Sequence, residues 1–211
     1  MTIRITALSL ILSHLVMSAW GSPMVTHASG AARLTLTTTV IREVSCSNRA
    51  LTLHLRLTFT NVGSETIILD KRSSVIARDM VSGSLDAAAK KRYEDIGRYE
   101  DSGPTVDETE STYADPGNFI LLRPGESFET ESDWSRTYFT VIDGLPQARG
   151  ALPYGTHFLQ VEVGTWLHGS DAVAAKVKKA FQGKGVLWTT PLVSSPMPFS
   201  IEKDRPISKC K

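Results

Sequence analysis

Hydrophobic and polar residues alternate most clearly between Leu51 and Phe59. Leu51, Leu53, Leu55, Leu57 and Phe59 share one side, and Thr52, His54, Arg56 and Thr58 the other. Successive side chains of a strand point to opposite faces, so this pattern predicts a half-buried antiparallel strand. Upstream, Leu34, Leu36, Thr38 and Val40 alternate with Thr35, Thr37 and Thr39, and the β-branched content favours a strand that ends near Cys46. Ser47-Asn48-Arg49 joins the two, and Asn61-Val62-Gly63-Ser64 turns the chain into a short strand from Thr66 to Leu69. Further strands are predicted at Asn118 to Leu122, Phe128 to Trp134, Tyr138 to Ile142, Thr156 to Leu167, Val186 to Thr189 and Met197 to Ile201. Between the first two of these, Arg123-Pro124-Gly125-Glu126 has the proline and glycine of a type II turn.

Two segments carry helical rather than alternating spacing. Ser84 to Tyr99 places Leu85, Ala88, Ala89, Arg92, Tyr93 and Ile96 on one stripe, with Ser84 as the N-cap. Ser170 to Gln182 places Val173, Ala174, Val177, Ala180 and Phe181 on another, with Ser170 as cap and Gly183 as stop. Both read as ornaments between strands. About eight short strands separated by turns predict an all-β fold, an antiparallel β-sandwich with two short helical insertions. It forms one domain over residues 31–205, with an insertion at 76–117 and a tail at 206–211.

Three stretches together resemble bacterial immunoglobulin-like domains. The first strand ends in Phe59-Thr60-Asn61-Val62-Gly63. The second opens after Leu122-Arg123-Pro124-Gly125-Glu126-Ser127 and reaches Trp134. The third opens after Leu152-Pro153-Tyr154-Gly155-Thr156. The proteinase-inhibitor-type (BsuPI-like) sandwich is the member most similar. The resemblance covers about half the mature chain and consists of turn and strand grammar, which speaks to fold more than to function. It implies an immunoglobulin-like sandwich and, as one function, inhibition of a protease or other enzyme. This chain departs from that type in two ways: the resembling type is intracellular whereas this N-terminus has the pattern of a secretory leader, and the insertion at 76–117 is extra; no stretch here matches an inhibitory loop.

The N-terminus changes the picture of where the chain works. Arg4 precedes a mostly apolar run from Ile5 to Val16, and Ala19-Trp20-Gly21 offers small residues for cleavage. That is the pattern of a secretory signal peptide over 1–21, with a second cleavage choice as late as residue 28. The apolar run is too short to cross a bilayer, which takes about 20 residues. A secreted or periplasmic protein without a membrane span is expected. Export also makes a disulfide between Cys46 and Cys210 the expected state of the two cysteines. Closing so long a loop contributes about 5 kcal/mol in the chain-entropy model. An immunoglobulin-like sandwich sets its last strand parallel to part of its first, which would bring the strand ends before Cys46 and Cys210 side by side.

Composition is ordinary for a globular chain, with 41% hydrophobic and 21% charged residues. Without residues 1–21 the chain has 22 basic and 22 acidic side chains, which gives no basic excess for binding nucleic acid. The charge is segregated: +3 over residues 22–85, −8 over 86–133 and +5 over 134–211. A solvated acidic loop and a partner-facing surface both account for this.

Candidate chemistry is sparse. No nucleophile elbow, zinc-protease helix, phosphate-binding glycine loop or calcium-loop spacing occurs. His54, His157 and His168 read as surface or edge residues, and the last two lie about 36 Å apart along one strand, too far to share a metal. Trp134, Trp166 and Trp188 read as packing. Lys176, Lys178, Lys179 and Lys184 read as a solvated helix face, with an acidic partner as the alternative. Asp107, Glu108 and Glu110 form the densest acidic cluster, and hydration explains it better than a calcium ion. With Tyr99 and Tyr113 they make the insertion the expected binding surface, for a protein partner of basic character. The expected function is an exported, non-catalytic binding module without cofactor or metal. A secreted enzyme inhibitor is the alternative, and a hydrolase built from scattered residues is a third reading.

Overall fold

The leucine alternation at 51–59 belongs to β3 (Ala50–Asn61), which lies in the middle of a sheet between β2 (Arg33–Ser45) and β8 (Ser127–Thr137). The structure, a computed structural model, describes residues 25–27, 31–45, 50–72, 76–98, 114–137, 152–166 and 170–202. In this first sheet β1 (Val25–His27) lies beyond β2, and all three pairings are antiparallel. Phe59 stands opposite Leu36 on one side and Phe128 on the other, so the apolar positions of three strands line up on one face.

A second antiparallel sheet covers that face. Its central strand β9 (Gly155–Val163) is flanked by β5 (Ile76–Ser82), and β6 (Asp95–Arg98) lies beyond β5. The other flank of β9 is shared by β11 (Leu192–Val193) and β12 (Met197–Ile201). Leu159, Val161 and Val163 meet Leu53, Leu55, Leu57 and Phe59 in one core cluster, as their alternation predicts. Each such side chain contributes about 1.5–3 kcal/mol on burial. Trp134 and Trp188 are part of this cluster, and the indole Nε1 of Trp134 donates to buried Asp79 at 2.9 Å.

A third, smaller sheet pairs β4 (Ile67–Asp70) with β7 (Phe119–Leu122) antiparallel and with β10 (Val186–Leu187) parallel. Ile67, Leu69 and Leu122 join the main core. Ile68, Phe119 and Leu187 face the other way, onto Val173, Val177 and Phe181 of helix α2 (Asp171–Ala180) and the turn after it. The helix predicted here is present, capped by Ser170 Oγ on Val173 N at 3.2 Å. It is a structural cover over apolar surface rather than an ornament.

Two of the turn motifs prove to be one construction. Asn61 is fully buried; its Nδ2 donates to Glu65 O at 2.7 Å and Leu122 O at 2.8 Å, and its Oδ1 accepts from Gly63 N at 2.9 Å. Its backbone carbonyl accepts from Gly125 N at 2.8 Å, and its N–H donates to Glu126 O. The Phe59-to-Gly63 and Leu122-to-Glu126 motifs are therefore a single knot tying β3 to β7 and β8. A Cβ on Gly63 would stand 2.4 Å from Ala31 O, so only glycine fits there. Gly125 sits at φ 83°, the conformation that a type II turn requires of it.

Several expectations are corrected. The helix expected over 84–99 is only α1 (Leu85–Ala89); Ser84 caps it as predicted, but Lys91 at φ 54° ends it, and Ile96 belongs to β6. The insertion expected at 76–117 opens with β5, an interior strand of the second sheet. A bulge between Ile76 and Arg78 and the buried Asp79 break its alternation and hide it in the sequence. Among the described residues the last strand, β12, lies antiparallel to β9 and does not pair with β2, so these strands do not show the arrangement invoked to bring Cys46 beside Cys210. Both cysteines lie outside the described residues, as do residues 1–24 and the strand expected at 138–142.

Candidate functional site

Of the residues expected to bind a partner, Tyr99, Asp107, Glu108, Glu110 and Tyr113 all fall between the end of β6 and Ala114, outside the described residues. His168 also lies outside the described residues. The chemistry that the structure does bring together lies on the outer faces of the two large sheets and at one buried histidine packed against Phe199.

The outer face of the first sheet is a grid of polar side chains. Thr60 and Ser127 share a hydrogen bond at 2.8 Å, and Thr52 and Ser135 one at 3.1 Å. Between these rows Arg56 lies 3.8 Å from Glu129 and 3.9 Å from Glu131. Part of the acidic excess of residues 86–133 is therefore a stripe on β8, two of whose carboxylates face Arg56 of β3. In the next row His54 Nδ1 meets Asp133 Oδ1 at 2.6 Å, the geometry of a histidine–carboxylate dyad. Its Nε2 is occupied by the Arg42 guanidinium at 2.8 Å, so the ring presents no free nitrogen to a nucleophile.

His157 departs from expectation: it is buried, not a surface or edge residue. Its Nδ1 meets Glu94 Oε2 at 3.0 Å and its Nε2 meets Pro153 O at 2.9 Å. This pair fastens the Leu152-to-Thr156 turn to the segment after α1. Like His54, it has both nitrogens engaged. Trp166 stacks beside Phe119, ring centres 6.3 Å apart, as a packing residue under α2.

The outer face of the second sheet is different, because it is hollow. A cleft of about 290 Å³ lies between the sheet and the α1 turn. Register puts Met80 opposite Gln160 and Arg78 opposite Glu162, and these four side chains form the floor with Val193. Ala88, Lys91 and Tyr93 form the wall. Arg78 pairs with Glu162 across the floor, which neutralises both. No described residue pairs with the Lys91 ammonium, and its left-handed backbone at φ 54° sets it on the rim. Two atoms of the floor residues, Gln160 Oε1 and Arg78 Nε, are buried without a hydrogen-bond partner among the described residues. Gln160 spends its Nε2 on Ser194 O at 3.2 Å, and the residue is only 3% exposed. An orphaned buried polar atom costs about 1–3 kcal/mol. Sequence reasoning missed this site because β5 lies in the stretch read as an insertion, and the strand expected at Thr156 to Leu167 carries no sign of which residues stand opposite it. Tyr93, expected on the apolar stripe of a helix over 84–99, lies after α1 and is half-buried in the cleft wall.

Among the described residues no helix is long and apolar enough to cross a membrane, and no three His, Cys, Asp or Glu side chains are grouped to hold a metal ion. No protein-family model matches the chain, and no curated protein matches it. Among solved structures it is similar to the crystal structure of the ApaA protein from Bordetella pertussis, at 16% identity and a TM-score of 0.34. The match covers 83% of this chain and 98% of that one. A likeness at this level carries nothing about function.

Proposed function

We propose that this protein is an exported, non-catalytic binding module whose ligand site is the cleft between α1 and the second sheet. The observation that carries the reading is the cleft floor, where Gln160 Oε1 and Arg78 Nε are buried without partners among the described residues, beside the apolar Met80 and Val193. Apolar walls with a few convergent polar groups are the usual make-up of a small-molecule site. The two histidine–carboxylate pairs, the nearest approach to catalytic machinery among the described residues, have both ring nitrogens engaged. The leader pattern at 1–21 supports export. In the same reading the segment with Tyr99, Asp107, Glu108, Glu110 and Tyr113 is a second surface, facing a basic protein partner.

A thermal-shift screen over chemically distinct small molecules tests the cleft. A ligand held at a hundred times its Kd stabilises the fold by about 2.7 kcal/mol, a readily measured rise in Tm. The rise is expected to vanish in Val193→Trp, which fills the floor. A hit equally stabilising for that variant binds elsewhere, and a hit consumed during incubation contradicts a non-catalytic role. Export is tested separately by the N-terminal mass of the protein recovered outside the cytoplasm, expected to begin between residues 22 and 29.

A further inference from the structure

We infer that the cleft binds an acylated amino acid, that is, an amide N–H and C=O adjoining a carboxylate and a small apolar side chain. The inference rests on the proposal that the cleft is the ligand site. The floor asks for both halves of an amide. Among the described residues Gln160 Oε1 lacks a donor and Arg78 Nε lacks an acceptor. Register places residues 78 and 80 of β5 directly opposite 162 and 160 of β9, so the two orphaned atoms belong to adjoining cross-strand pairs. The terminal torsion of glutamine is soft, so a small turn brings its oxygen to a ligand seated on the floor.

The rest of the lining specifies what adjoins the amide. Arg78 and Glu162 cancel each other, which leaves Lys91 as the net charge of the cleft. An ammonium on the rim, with no described partner, selects an anion at the open end. Met80, Ala88 and Val193 offer a dry surface for one short aliphatic group. A volume of about 290 Å³ is at the small end of ligand sites, enough for one acylated residue and too little for a folded peptide. The same chemistry occurs in a free N-acyl amino acid and at the C-terminal residue of a peptide.

The test is a titration of the isotope-labelled full chain with N-acetyl-leucine, followed through backbone amide shifts. Shifts are expected at Met80, Lys91, Gln160 and Val193, and none on the outer face of the first sheet. N-acetyl-leucinamide, which lacks the carboxylate, is expected to bind about tenfold more weakly, the usual size of a lost charge-assisted hydrogen bond. Lys91→Met is expected to weaken N-acetyl-leucine by the same factor and to leave the amide probe unchanged. Leucine, which lacks the acyl group, is expected not to bind. A tripeptide ending in leucine binding more tightly than N-acetyl-leucine identifies the peptide end as the source; weaker binding identifies the free acylated residue. Equal affinity for the acid and the amide probe, or no shifts at millimolar acid, overturns the inference. If the acid fails while another compound stabilises the native chain and not Val193→Trp, the ligand chemistry is wrong and the binding-module reading stands. If no compound does so, both fall.

Discussion

Asn61→Ala is expected to be among the most damaging single substitutions on the molecule, although it removes only a small polar group. The side chain is fully buried and makes three hydrogen bonds, to Glu65 O, Leu122 O and Gly63 N, at 2.7, 2.8 and 2.9 Å. A typical bond contributes about 0.5–1.5 kcal/mol net, and leaving a buried carbonyl such as Leu122 O without its donor adds about 1–3. A loss of about 4 kcal/mol follows, against a total stability of about 5–15 kcal/mol for a domain. In urea, with a slope of about 2 kcal/mol per molar, the midpoint should fall by about 2 M. Val62→Ala is the control. It changes an exposed residue of the same turn and should stay within about 0.5 kcal/mol of the native chain. Asn61→Asp keeps the acceptor for Gly63 but turns a carboxylate on two carbonyls, and should be at least as unstable as the alanine variant. A midpoint for Asn61→Ala indistinguishable from that of Val62→Ala would show that the knot is not what holds these strands together.

Leu55→Asp should prevent folding, whereas Thr58→Asp should cost no more than about 1 kcal/mol, from the like charge of Glu129 opposite it; circular dichroism melts compare them. Trp134→Phe should lose about 2 kcal/mol in urea unfolding, because it takes from buried Asp79 the indole N–H that it accepts. Cys46 and Cys210 should resist alkylation in the native exported protein and take two labels after reduction, read by intact mass. Deletion of residues 100–116 should leave the melting transition in place while abolishing capture of a basic protein partner; capture unchanged by the deletion excludes that surface.

How much was legible in the sequence depended on how many faces an element leaves wet. β3 has one dry and one polar face, so its period of two stands out, and its whole core side was assigned correctly. Caps are local chemistry, and Ser84 and Ser170 were both found. β5 was lost for three physical reasons: its bulge shifts the period, its inner face contains a carboxylate whose donor comes from the opposite sheet, and its outer face is partly covered by α1. Helical spacing continued past Lys91 by coincidence, because nothing local announces the left-handed residue that stops α1. The cleft escaped for a related reason. It depends on which residues of β5 and β9 stand opposite each other, a pairing that no stretch of either strand contains.

The third sheet has one further consequence. In most strands here a slip of one residue is forbidden because it would swap the core face for the solvent face. β4 is buried on both sides, under the sandwich core and under α2, and Ile67, Ile68 and Leu69 are about equally apolar. Hydrophobicity therefore hardly distinguishes one alignment of β4 from its neighbour. The choice falls to polar anchors at its two ends. Asn61 grips Glu65 O before the strand, and Asp70 closes the exit by accepting from Arg72 N at 2.9 Å and pairing with the Arg72 guanidinium. The alignment of this doubly dry strand is thus written in the hydrogen bonds at its ends rather than in its greasy middle.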